Sequence, residues 1–191
     1  MTPEENKTGL EAFCRREYVA VYRYVYAHLG NVEDAREAVQ ESFLSFYQMW
    51  LASEIREHER ALLFRIARNK AIDLVRRRTR QKAATEDLQT GNVLAFKSPE
   101  QRTPEELLLG KERQRMAEAA LARLSERDQE CLALRRSGLT NQQVAETLHV
   151  NAITVRQIIG RALRRFEPLY DQLQTASGPL SDKANEKNRR S

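Results

Sequence analysis

Apolar side chains recur at helical spacing through most of this chain. Leu10, Cys14, Tyr18, Val21, Val25 and Leu29 form a first stripe, which Gly30 ends. Thr8, with Glu11 three residues on, has the pattern of a capping box at its start. A second stripe, Val32, Ala35, Val39, Phe43, Phe46 and Trp50, follows Asn31, a residue type suited to a helix N-cap. The third begins near Arg60, turns Leu63, Ala67, Ala71, Leu74 and Val75 inward, and runs out into Arg76, Arg77 and Arg78. Three helices therefore make a first small module over residues 1–82.

The periodicity is lost from Gln81 to Gln101, where Thr, Gly, Ser, Pro and charges mix. Such a stretch cannot bury enough apolar surface to fold alone, so residues 83–112 are assigned to a flexible linker. Near its end, Thr103, Pro104 and Glu106 combine an N-cap, a proline at the first helical position and a capping acid. Ser125 and Asp128 repeat the cap-plus-acid pattern ahead of Cys131, Leu132 and Leu134, and Gly138 closes that helix. A short helix then runs from about Thr140 to Leu148. The expected fold is all-α: two small helical domains joined by a flexible linker, the second over residues 113–170, with a disordered tail at 171–191.

Between Asn141 and Ile158 the spacing of Val144, Ala145, Leu148, Val150 and Val155 is that of a helix-turn-helix. Ala145 has to be small where the two helices cross, Val144 and Leu148 face the core, and Val150 plugs the turn. His149 stands where such turns usually carry Gly, but His tolerates a left-handed backbone. Asn151 caps the second helix. Thr154, Arg156, Gln157 and Arg161 then point outward, with Arg164 and Arg165 continuing the basic run. Arg and Gln can donate to base edges in a major groove, while Thr and Arg can hold phosphates.

Charge sharpens this picture. From Arg60 to Lys82 there are nine Lys or Arg against one acid, Asp73, and from Asn151 to Phe166 four Arg against none. Segregated positive charge on two separate helices is the footprint of a chain that grips a polyanion, most simply DNA, at two places. On the third helix Arg65, Asn69, Ile72, Arg76 and Arg80 share one face, with Arg68 at its edge. The stretch from Glu33 to Glu59 is the opposite, with seven acids against two Arg. There Glu37, Gln40, Glu41, Leu44 and Gln48 form a ridge opposite the apolar stripe, an exposed Leu amid acids and amides that suits a basic partner helix.

Other classes find no support. Cys14 and Cys131 are far apart, without a CxxC or a His cluster, so neither a disulfide framework nor a zinc site is indicated. Three dispersed His and no Gly-rich phosphate loop offer no convergent catalytic group, and no metal or cofactor is expected. No apolar run approaches the roughly 20 residues needed to cross a bilayer, which leaves no membrane insertion and a cytoplasmic location as the expectation.

Two separate motif sets now resemble the extracytoplasmic-function (ECF) group of bacterial sigma factors. Asp34 to Phe43 and Leu63 to Asp73 are similar to the family's region 2, and Ala120 to Glu130 with the following helix-turn-helix is similar to its region 4. The resemblance implies a transcription initiation factor that binds core RNA polymerase and directs it to promoters through −10 and −35 elements. It implies that the ridge on the second helix binds the clamp helices of the polymerase β′ subunit and that the second module meets the β flap. It also implies that the third helix, Arg77 included, and the loop before it handle the −10 element and capture a flipped base, with Ser53, Arg56 and His58 as the loop's polar candidates. A separate anti-sigma factor is an implied partner.

The chain departs from the family's usual pattern at four places. Glu59 and Leu62 stand where aromatic residues are usual, and Gln143 and Ile158 where a Glu and an Arg are common. Ile158 is thus either an extra core residue or a changed −35 contact. A stand-alone helix-turn-helix regulator is the alternative class. It would share the second module but has no use for the segments from Asp34 to Phe43 and from Leu63 to Asp73.

Overall fold

A computed structural model describes residues 3–52, 55, 58–83 and 104–176, with side chains over 8–52, 55, 58–80 and 112–176. Among the described residues there are seven helices and no strand: α1 (Pro3–Leu29), α2 (Val32–Leu51), α3 (Glu59–Ala83), α4 (Pro104–Ala122), α5 (Glu126–Arg136), α6 (Asn141–Leu148) and α7 (Ala152–Ala176). The first three make one module and the last four another. The tail from 177 and most of the assigned linker lie outside the described residues.

Local chemistry sets most helix ends. Asn31 is extended and its side chain accepts the Asp34 N–H at 3.1 Å; Ser125 does the same for Asp128 at 3.2 Å. Thr140 and Gln143 form a complete capping box on α6, so the Gln that replaces the family's usual Glu still closes it. His149 ends α6 at φ 52°, in the left-handed region, and its N–H bonds the end of the helix. Asn151 Oδ1 then accepts the Ile153 N–H at 2.8 Å as α7 begins.

Some boundaries differ from the sequence pattern. α1 begins at Pro3, whose fixed φ suits a first helical position, and so Thr8 sits inside the helix instead of capping it. α4 begins at Pro104, where the Thr103, Pro104 and Glu106 pattern expects a helix start, although the linker bounds of 83–112 took in its first residues. α7 runs past residue 170 to Ala176, through Pro168, with Phe166 and Tyr170 stacked at 5.6 Å along one face.

The core of the first module corrects the α1 stripe. Leu10, Phe13, Val21, Tyr24 and Val25 are buried, whereas Tyr18 is 48% exposed and lies over Tyr22 and Phe43. The true inward line passes through Glu17, 4% exposed, and this buried acid interrupts the apolar period that sequence reading follows. On α2, Ala35, Val39 and Phe46 are buried as expected, but Val32 at the helix start is exposed. In the second module Cys131, Leu134, Leu139, Val144, Ala145, Val155, Ile158 and Ala162 form the core. Burial raises the Cys131 thiol to about 11, which keeps it neutral and inert.

The two modules pack on one another. Ala61, Leu62, Leu63 and Phe64 at the start of α3 are all at most 1% exposed, because α3 is covered by α1 and α2 on one side and by α6 on the other. The hydrophobic cluster is consequently continuous across both modules. Leu62 is part of that seam, in a place where an aromatic is more usual in the family.

Candidate nucleic-acid and polymerase interfaces

The ridge on α2 is presented to solvent. Glu37, Gln40 and Gln48 are exposed, Leu44 is 57% exposed, and Glu41 pairs with Lys70 of α3 at 2.9 Å. Tyr47 and Leu51 continue the same face and are 41% and 63% exposed. They lie three and seven positions after Leu44, a spacing from which the longer apolar edge was legible.

The basic face of α3 divides into two halves. Asn69, Arg76, Arg77 and Arg80 are exposed, and Arg80 Nε bonds the Arg76 carbonyl at 3.3 Å. Arg78 is drawn aside to Asp34 in the first turn of α2. Towards the start of the helix the residues meet the second module instead. Arg65 is half-buried; Arg68 pairs with Glu130 of α5, Nε to Oε1, at 3.3 Å. Ile72 lines a crevice of about 690 Å³ together with Arg68, Leu124, Leu148 and Val150. His58, just ahead of α3, bonds Glu146 of α6 at 2.8 Å. Ser53 and Arg56 lie outside the described residues.

Besides the His58–Glu146 contact, three further polar anchors hold the modules together, and none was visible in the sequence. Arg60 donates to Glu17 at 2.7 Å and to the carbonyls of Gly138 and Ser137 at 2.7 and 2.8 Å, so that it closes the C-terminal end of α5, where the helix dipole favours a cation. Thr147, 1% exposed, donates to the Ala61 or Gln143 carbonyl. Glu130 is the third. The Tyr24 hydroxyl donates to one of its oxygens and His28 Nε2 lies 2.9 Å from the other. His28 Nδ1 is 2.8 Å from the Tyr24 carbonyl, which holds the ring in place. Burial alone pushes the Glu130 carboxyl up, but the bonds and charge from His28, Tyr24 and Arg68 outweigh it and hold it below the usual carboxylate value.

On α7, Arg156 and Gln157 are exposed near the helix start and Thr154 is half-buried beside them. Ile158 is 5% exposed and belongs to the core. Arg161 is held from behind, its Nη2 2.7 Å from Oδ1 of the fully buried Asp128, and Arg165 Nη1 stands 3.6 Å from Oδ2. Arg164 is exposed. Burial raises the Asp128 carboxyl, yet its bonds from Arg161 and Ser125 and the charge of both arginines bring it below its ordinary value. The capping acid of α5 thus also fixes the recognition helix, a second role that its position three residues after Ser125 does not disclose.

Among the described residues, no group of three or more His, Cys, Asp or Glu could hold a metal, and no helix is long and apolar enough to cross a membrane.

A three-helix module with an open acidic ridge, followed by a helix-turn-helix with an open basic helix start, defines a two-part transcription protein. Sequence comparison agrees: residues 13–81 match Sigma-70 region 2 and residues 120–166 match Sigma-70, region 4, together more than half of the chain. The chain belongs to the sigma-70 family of transcription initiation factors. Its fold is similar to that of the sigma factor RpoE from Bartonella quintana, solved in complex with the anti-sigma factor NepR, with a TM-score of 0.65 at 20% identity over 84% of this chain and 96% of that one. CnrH, solved in complex with the cytosolic domain of CnrY, gives 0.59 at 21% identity over 87% and 90%. No curated protein matches the chain by sequence.

Proposed function

We propose that this sigma factor docks on core RNA polymerase through the α2 ridge, Glu37, Gln40, Glu41, Leu44 and Gln48, with Tyr47 and Leu51 extending it. The β′ clamp helices are the partner of that ridge and the β flap that of the second module. The exposed residues of α3 and the preceding loop read the −10 element, Arg76, Arg77 and Arg80 gripping phosphates while Asn69 and Ile72 meet unstacked bases. Arg156 and Gln157 read the −35 element in the major groove, with Thr154, Arg161, Arg164 and Arg165 supporting them on phosphates.

The observation that carries this reading is the pairing, on one chain, of an open ridge with Leu44 57% exposed among acids and amides and an unobstructed recognition-helix start at Arg156 and Gln157. A stand-alone regulator has no use for the ridge. Both similar structures were solved as complexes, RpoE with the anti-sigma factor NepR and CnrH with the cytosolic domain of CnrY, and the first supports an anti-sigma partner for this chain also. The test is reconstitution. Full-length protein added to sigma-free core polymerase is expected to initiate at a defined set of genomic start sites sharing two upstream elements; absence of initiation on any genomic template overturns the reading.

A further inference from the structure

The recognition helix carries two residues that the fold itself does not use. Ile153, in the first turn of α7, is 65% exposed, the most open of the large apolar side chains among the described residues. Its N–H donates to Asn151 Oδ1 at 2.8 Å, and the Val155 N–H donates to the Asn151 carbonyl at 3.0 Å, so the backbone that presents Ile153 is fixed. Gly160 follows on the same helix. A Cβ there would meet only the Arg164 guanidinium, at 3.9 Å, an ordinary contact with the far end of a flexible side chain. Packing among the described residues therefore does not require glycine, although glycine is among the least favourable residues inside a helix.

Their spacing unites them. Ile153, Gln157, Gly160 and Arg164 recur at i, i+4, i+7 and i+11 and lie on one face of α7, with Arg156 at its edge. The opposite face is Val155, Ile158 and Ala162, all turned into the core. Since the sequence from Asn151 to Phe166 holds no acid, the outer face is complementary to a polyanion along its length. We propose that this line is the groove-facing side of the recognition helix, with Ile153 reading the C5-methyl group of a thymine in the −35 element and Gly160 letting the helix sit deep enough for so short a side chain to arrive. The proposal rests on the assignment of α7 to that element.

The chemistry of the major groove supports this. Base edges there present hydrogen-bond donors and acceptors, and the thymine methyl is the apolar exception. Arg156 and Gln157 answer the polar groups. An isoleucine has no donor or acceptor, so it discriminates only by what apolar surface it covers. Its β-branched side chain is nearly fixed about χ1 on a helix, and little rotamer freedom is lost when it docks. Burial of one methyl group corresponds to about a fourfold difference in affinity.

The test uses holoenzyme assembled from the full chain and core polymerase, on promoter duplexes taken from the start sites that reconstitution maps. Deoxyuridine replaces each thymine of the upstream element in turn, on either strand, which deletes the methyl and leaves every hydrogen-bonding group in place. Synthetic duplexes without 5-methylcytosine leave thymine as the sole source of that methyl. Wild type should lose about fourfold in promoter affinity at one thymine. Ile153→Ala should bind the natural promoter more weakly and be indifferent to deoxyuridine at that position, whereas Arg164→Ala should keep the fourfold loss there. Gly160→Ala should raise the melting temperature and still lower promoter affinity, a combination that a merely structural glycine would not give.

Equal sensitivity of wild type and Ile153→Ala to deoxyuridine, absence of any methyl-sensitive thymine, or a Gly160→Ala variant that binds promoter as well as wild type would each overturn the proposal. So would weaker retention of Ile153→Ala on core polymerase in the absence of DNA, which marks a protein contact instead. Failure of wild type to initiate with core strikes the sigma assignment and this inference with it. Initiation that is indifferent to every upstream methyl strikes the inference alone.

Discussion

Arg161 on the recognition helix and Asp128 on α5, thirty-three residues apart in sequence, meet at 2.7 Å with the carboxylate fully buried. The guanidinium keeps about half of its surface in solvent, so the pair is a buried acid serviced by a surface cation. Loss of either partner has unequal cost. Arg161→Ala strands a buried charge and is expected to cost about 2–4 kcal/mol. Asp128→Asn keeps the shape and should cost about 1–2 kcal/mol. Urea denaturation of both single variants and the double variant gives the coupling; additive effects would argue against the pairing.

Acid should weaken the molecule through the same carboxylates. Asp128 and Glu130 both lie below their ordinary values in the folded chain. Their contribution is therefore complete above the unfolded carboxylate range and is lost as pH falls through the lowered values. Thermal melts should be level from neutral pH down to about pH 5 as far as these groups are concerned, then decline. The decline should be shallower in Asp128→Asn.

The α2 ridge can be broken without touching the core. Leu44→Asp and Glu41→Arg are expected to abolish co-purification with core polymerase while leaving circular dichroism unchanged. Leu51→Asp, at the far end of the same face, should weaken it. Retention of core by Leu44→Asp would exclude this surface as the dock.

Recognition and grip should separate on α7. Arg156→Ala and Gln157→Ala are expected to lower initiation in a manner that depends on the bases upstream, each by about 1–3 kcal/mol of discrimination. Arg164→Ala should weaken all promoters alike and reduce the salt dependence of open-complex formation by about one charge. Run-off transcription on a set of upstream variants distinguishes the two patterns.

Gly138 is constrained twice. Its φ of +87° is strained for any side chain, and an added Cβ would stand 3.3 Å from Arg60 Nη2. Gly138→Ala should cost about 1–2 kcal/mol and loosen the Arg60 anchor together with the module contact. Denaturation and scattering of that variant measure the two effects separately.

Much of this molecule was determined by the sequence alone, because its signals are local. The caps at Asn31, Ser125 and Asn151, the left-handed turn at His149, the helix-turn-helix spacing and the two basic helices involve neighbours within a few residues, and the structure has them. The exposed Leu44 and its acidic ridge were legible for the same reason. Only the tertiary structure decided that Glu17 is an inward residue, that Ile158 joins the core, that Asp128 holds Arg161, and that Arg68 belongs to Glu130 in the free chain. Each of these depends on a partner from a distant helix. Helical periodicity describes one helix and its faces, whereas a buried charge is placed by the donor that happens to reach it.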